Sequence, residues 1–253
     1  MSTILSPKEF VSLSGARHAD RLFERPRGEF AFDENVTEVF PNMIGRSVPL
    51  YWETVDMLGE MAAAQLTENQ VVYDLGCSLG AVGWSIDRNL ETPVKLIAVD
   101  ASQPMVDRLT ANLQGLETRA IWTVKCADVT KVDFEPCDVI ILNYCLQFIP
   151  ISQRPHLLRR LYAALKPGGS LYLSEKVHET NKQMNQRLRT HHHAFKKAQG
   201  YSDEEIENKA ESIKVMMPTQ TDAAHKAILK EIGFSDITTW MRWLNFTSIW
   251  AVK

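Results

Sequence analysis

The chain has 253 residues, 45% of them hydrophobic and 23% charged, the proportions of an ordinary soluble globular protein. That length supports one large domain, or one with a small appendage, whose core needs no disulfide or metal staple. With 28 Lys+Arg against 31 Asp+Glu, a net charge of −3 and no long run of one sign, a binder that relies on a basic face is disfavoured, so no direct nucleic-acid partner is expected.

Residues 1–50 mix charge, Pro26, Pro41 and scattered aromatics, and read as an N-terminal extension to a main domain at 51–253. From 51 to 66, YWETVDMLGEMAAAQL repeats apolar residues at three- and four-residue intervals, which predicts a helix. The next segment, VVYDLGCSLGAVGWSIDRNL, reads as strand, glycine loop and helix. KLIAVDAS (strand), PMVDRLTANLQGL (helix), AIWTVKCADV (strand), DVIILNYCLQFI (buried strand and loop), SQRPHLLRRLYAALKPGG (helix and stop) and SLYLSE (strand) then alternate. That alternation predicts βαβ units and a parallel sheet buried on both faces. Residues 176–222 are long, polar and helical in composition, and predict a helical cap over the ligand edge of the sheet. A last helix, AAHKAILKEIGF, precedes two strands in ITTWMRWLNFTSIWAVK, an antiparallel hairpin turning near 244–247.

Four cysteines, at 77, 126, 137 and 145, form no C-x-x-C pair and no zinc-ribbon spacing, so they read as reduced thiols and no metal is expected. No apolar stretch, the buried run 139–142 included, comes near the ~20 residues of a membrane span. Residues 1–21 lack a basic stretch followed by an apolar run and a small-residue cleavage site. The expected location is the cytoplasm, with no membrane partner.

The loop Asp74-Leu-Gly76-Cys77-Ser78-Leu-Gly80 follows a strand and opens a helix, which puts its backbone at the carboxyl edge of the sheet. A dinucleotide fingerprint needs a second glycine where Ser78 stands. The pattern D-x-G-x-x-x-G instead resembles the first motif of the class I S-adenosylmethionine (SAM)-dependent methyltransferases. SAM carries an α-amino group, a ribose diol and a sulfonium but no phosphate, so carboxylates at strand ends are required beside the glycine amides. Asp74 can order the loop and face the amino acid part, and Asp100, ending LIAVD, can accept both ribose hydroxyls. Asp128 can take the adenine amine, the Val129 amide a ring nitrogen, and Asn143, ending VIILN, the methionyl end. One such Asp alone would read as a helix N-cap. Four polar residues at consecutive strand tips read as one ligand edge.

The runs FDENVTEVFPNMIGRSVPLY at 32–51, VYDLGCSLGA at 72–81, SQPMVDR at 102–108, LQFI at 146–149, LKPGGSLYLSEK at 165–176, HHAFKKAQGYSDEEIENK at 192–209 and the closing WLNFTSIWAVK are similar to the carboxy-S-adenosylmethionine synthase family. The resemblance covers nearly the whole chain from about residue 30, and the first run is not a general methyltransferase feature. It implies conversion of SAM and prephenate into a carboxylated cofactor, used by a partner enzyme on the wobble uridine of transfer RNA. It also implies a homodimer. By matching positions it implies cofactor contacts at Tyr51, Gly76, Cys77, Ser78, Asp100, Ala101, Asp128, Val129 and Asn143. One position departs: the family's Lys-Arg, whose arginine reaches across the dimer to the added carboxylate, is Lys209-Ala210 here. An alanine offers no bidentate fork. Arg187 and Arg189, upstream in the cap, are candidate replacements.

His191, His192 and His193 cannot converge on one ion from a single helix, since successive residues point about 100° apart. His192 and His193 are candidate general bases, and His191 reads as solvated. Tyr144 can present its hydroxyl toward substrate, or pack in the core. His225 reads as structural, and Trp240, Trp243 and Trp250 as buried in the hairpin or against a dimer partner.

The expected fold is α/β: a class I methyltransferase, Rossmann-like, with a seven-stranded mostly parallel sheet, an antiparallel terminal hairpin and a helical cap. Ala210 makes methyl transfer from SAM to a small-molecule substrate the leading expectation. Carboxy-S-adenosylmethionine synthesis is second, and a non-catalytic SAM-binding partner protein third.

Overall fold

The computed structural model describes residues 5–13, 20–26 and 28–253. The stretch read for a leader, and the N-terminal extension, therefore lie partly outside the described residues. Seven strands form one sheet: β1 (Val71–Leu75), β2 (Lys95–Asp100), β3 (Ile121–Cys126), β4 (Cys137–Asn143), β5 (Leu165–Lys176), β6 (Ser235–Trp243) and β7 (Phe246–Val252). Their order is β3-β2-β1-β4-β5-β7-β6. The first five run parallel, and β7 pairs antiparallel with both β5 and β6. The terminal hairpin turns at Leu244, which has φ +49°.

The apolar runs explain this placement. In β1, β2 and β4 side chains alternate between two cores, Val72, Leu96, Ala98, Val139 and Ile141 on one face and Tyr73, Ile97, Val99, Ile140 and Leu142 on the other. A strand with both faces covered needs apolar residues at every position rather than every second one. Helices α3 (Tyr51–Ala63), α4 (Ala81–Asn89) and α5 (Gln103–Leu113) pack on the first face, and α6 (Arg154–Ala164) and α9 (Asp222–Ile232) on the second. β5 begins earlier than the pattern predicts, at Leu165 rather than Ser170. Leu165 already pairs with Cys137, and a bulge through the glycines carries the ladder across the expected helix stop.

Two further layers close the carboxyl edge of the sheet. The N-terminal segment contributes α1 (Pro7–Val11) and α2 (Glu34–Ser47), the latter capped by the Asp33 carboxylate, which accepts from Val36 N. The stretch between β5 and α9 contributes α7 (Lys182–Ala198), capped by Asn181, and α8 (Asp203–Ile213), opened by a Ser202/Glu205 capping box. The two layers meet: Arg46 Nε donates to Gln199 O (2.7 Å), Asn208 Nδ2 to Phe23 O (3.0 Å) and Phe30 N to Ser212 O (3.2 Å).

Candidate functional site

Strand order reverses between β1 and β4, the place where open α/β sheets hold ligands. A cavity of about 350 Å³ lies there, in the size range of a small-molecule site. Its floor is the row of strand tips: Asp74, Gly76, Cys77 and Ser78 after β1, Asp100 and Ala101 after β2, Asp128 and Val129 after β3, Asn143 and Tyr144 after β4. Its roof is α2, α7 and α8, which contribute Phe40, Met43, Ser47, His192, Lys196 and Lys209.

The floor carboxylates are held by backbone amides. Asp100 accepts from Ser78 N (2.8 Å) and Ser102 N (2.9 Å). Those bonds pull its pKa down, but burial dominates and raises it. Asp74 accepts from Gly83 N (3.0 Å) at the start of α4, and burial pushes it up to about 7. Asp128, near the surface, accepts from Thr130 N and Oγ1, and the Thr130 hydroxyl holds its pKa below the usual carboxylate range.

The loop geometry is specific. Gly76 has φ +72°, and a Cβ there would lie 2.5 Å from Cys145 Sγ, so only glycine fits. Ser78 (φ +50°), Tyr144 (φ +57°) and Leu50 (φ +54°), beside the cavity residue Tyr51, are non-glycine residues in the left-handed region. Backbone strain concentrated around one cavity is the pattern of a ligand site. Two buried polar atoms of the wall, Asn143 Oδ1 and Tyr144 Oη, have no partner among the described residues. An orphan acceptor suits an ammonium, amide-held carboxylates suit a diol or an amine, and none of these strand tips carries a phosphate-binding cation. This set fits SAM.

Residues 72–169 match the model of a methyltransferase domain family. The carboxy-S-adenosyl-L-methionine synthase of Pasteurella multocida (strain Pm70) is 42% identical over 238 residues, 92% of this chain and 99% of its own length. That of Pseudoalteromonas translucida (strain TAC 125) is 44% identical over 226 residues, 89% and 94% of the two chains. The chain belongs to the carboxy-S-adenosyl-L-methionine synthase family. It is a SAM-dependent transferase. Human N-acetylserotonin methyltransferase in complex with SAM shares the fold at TM-score 0.54 and 17% identity, over 87% of this chain and 53% of that one. So does the YcgJ protein of Bacillus subtilis, at 0.58 and 12%, over 79% and 98%.

In this synthase-family chain the cavity brings together Tyr51, Asp74, Gly76, Cys77, Ser78, Asp100, Ala101, Asp128, Val129 and Asn143. Gly80 stands apart from the expected cofactor contacts. It lies off the cavity wall, and its φ of +80° starts α4 where a Cβ would meet Leu109 Cδ1 at 2.3 Å. Of the histidines, His191 is exposed, His192 is buried on the wall and His193 is half-buried away from it. His192 Nε2 is 2.8 Å from Ser47 O, a contact only an N–H can make. Burial, then Lys196 and Lys176, push its pKa down to about 2, so it is neutral. Tyr144 lines the wall, its hydroxyl pushed up by burial. Arg187 and Arg189 are exposed and off the cavity wall, and Ala210 is also off the wall of its own chain.

Three wall residues went unread in the sequence: Lys176, Lys196 and Lys209. A signal existed. Lys196 follows His192 by four, and Lys209 sits between Ile206 and Ile213, at the three- and four-residue spacing of one helix face.

Proposed function

We propose that this enzyme converts SAM and prephenate into carboxy-S-adenosyl-L-methionine, for modification of the tRNA wobble uridine by a partner enzyme. The observation that carries the reading is the origin of the cavity roof. It comes from the runs 32–51 and 192–209, both part of the resemblance to the synthase family, the first of them not a general methyltransferase feature. In the proposed arrangement Asp100 accepts the ribose hydroxyls, Asp128 and the Val129 amide take the adenine edge, and Asn143 Oδ1 takes the methionyl ammonium. Tyr51 and the 76–78 backbone enclose the cofactor, while Asp74 ties the loop to α4. SAM supplies the methyl carbon on sulfur, where the ring carboxyl group of prephenate replaces one hydrogen; prephenate loses its ring hydroxyl as it aromatises to phenylpyruvate, and the methyl proton leaves with that hydroxide as water. The chain's own residues position the two substrates and exclude water. Tyr144 is the hydroxyl best placed to meet the reacting end, and neutral His192 positions the roof through Ser47.

The reading extends to a homodimer with an N-terminal extension at 1–50 serving the domain at 51–253, working in the cytoplasm. Family membership supports the dimer. Four free thiols, one of them exposed, favour a reducing compartment. Light scattering at working concentration tests the dimer, and a monomer overturns it. Ala210 favours a second reading, direct methyl transfer to a small acceptor. Incubation with SAM and prephenate, followed by mass spectrometry, decides between them. Carboxylated product supports the first reading, and S-adenosylhomocysteine without it supports the second. Bound SAM with no turnover by prephenate or any acceptor leaves a non-catalytic module.

A further inference from the structure

We propose that Lys176, Lys196 and Lys209 form an anion subsite that holds the carboxylate of a small, largely apolar acid in the cavity that takes SAM. The proposal rests on the reading above that the reaction uses a carboxylate co-substrate, and deepens it by naming what recognises that substrate in a chain whose residue 210 is alanine.

The three lysines come from β5, α7 and α8 and line one cavity. Lys196 and Lys209 are each only 7% exposed. Buried ammonium groups are normally paired with carboxylates. None of these three has a carboxylate within 4.0 Å among the described residues, where the ion pairs lie elsewhere. Lys209 Nζ donates to Ser47 Oγ at 2.7 Å and lies over the Phe23 and Tyr201 rings, neutral contacts that bring it no carboxylate partner. The acid whose field favours charged Lys209 is Asp20, and its oxygens are occupied by Tyr201 Oη and Leu22 N. The floor acids are tied to their own loops. Glu175, next to Lys176, is buried away from the wall and accepts from Gln147 N.

The lysines repel one another. Burial first, and then the neighbouring cations, pull Lys196 down to about 7, while Lys176 and Lys209 fall to about 8. An anion entering between them removes that repulsion and restores their protons. Much of the remaining roof and side wall, including Phe30, Phe32, Phe40, Phe148 and Phe246, is apolar and aromatic. The complementary ligand therefore carries its charge at one end and a ring or hydrocarbon at the other. A cationic amine, by contrast, would meet like charge.

The test is calorimetric binding of prephenate to the full chain saturated with S-adenosylhomocysteine, where no reaction can occur. Wild type is expected to bind it, and Lys196→Met and Lys209→Met to lose about tenfold or more each, the scale of a lost charge-assisted hydrogen bond. Lys196→Gln and Lys209→Gln, which keep a polar end, serve if the methionine variants fail to fold. S-adenosylhomocysteine binding reports an intact site. No prephenate binding by wild type, variants within about twofold of it, or displacement of prephenate by equimolar inorganic phosphate would each overturn the subsite. Prephenate that binds in this lysine-dependent way but yields no carboxylated product retires the reaction and leaves the subsite standing. Product formation undiminished in the lysine variants does the reverse.

Discussion

The floor and roof of the cavity are built on opposite principles. On the floor, Asp74 and Asp100 have their charge shared with backbone amides of the same loops, so the acceptors are in place before a ligand arrives. On the roof, Lys196 and Lys176 have no hydrogen-bonded side-chain partner among the described residues, and Lys209 only a hydroxyl. A preorganised anionic floor suits a cationic nucleoside, and a cationic wall without ion-paired carboxylates suits an acid. On the proposed reading one site separates two substrates of opposite charge, and the contrast is open to direct attack.

The largest effect is expected from Asp100→Ala, which removes a carboxylate that two amides hold in position. SAM affinity should fall by about 1.5–3 kcal/mol, or roughly 10- to 100-fold, read by calorimetry. Unchanged affinity would take Asp100 out of the floor. Gly76→Ala should cost about 1–3 kcal/mol of stability, because φ +72° and the Cys145 thiol leave no room for a methyl group. Denaturant unfolding reads this directly, and a neutral result would mean that the loop relaxes freely.

A pH series sharpens the comparison further. Asp74 is raised to about 7, and a bound cation lowers it, so SAM affinity should climb with pH and level off near 7. The roof has the reverse sign. Lys196 titrates near 7 and Lys176 and Lys209 near 8, and a bound anion raises all three, so prephenate affinity should fall as pH rises above about 7. The charged groups that set this are the three lysines with Arg189 and His193 on α7, Arg46 on α2 and Asp20. A fall approaching tenfold per pH unit is expected where one proton is taken up, and parallel slopes for the two ligands would erase the contrast. The smallest effect belongs to Ala210→Arg. Residue 210 is off the wall of its own chain, so SAM affinity should stay within about 0.5 kcal/mol of wild type.

The floor was legible because its signals are local. Asp100 ends an apolar run whose alternation reads as a strand, and Asp74 stands two residues before the glycine that only a tight turn explains. Gly80 shares that motif, yet lies off the cavity wall and packs against Leu109, since a positive φ alone cannot say what lies across from it. Lys196 and Lys209 were passed over because a polar helix hides which face is turned inward, and Lys176 because a charge ending a strand reads as solvated. The histidine run shows the same limit, with only His192 reaching the wall.

By itself the sequence determined the strand-helix alternation, the glycine turn and the acids at the strand tips, all consequences of backbone geometry over a few residues. The tertiary structure alone decided that His192 and Lys209 converge on Ser47, across 145 and 162 residues of chain. Helix periodicity specifies a face, but what that face meets depends on how α2, α7 and α8 pack, and that packing brings Lys196 and Lys209 to the cavity beside Lys176 with no carboxylate in ion-pair contact among the described residues.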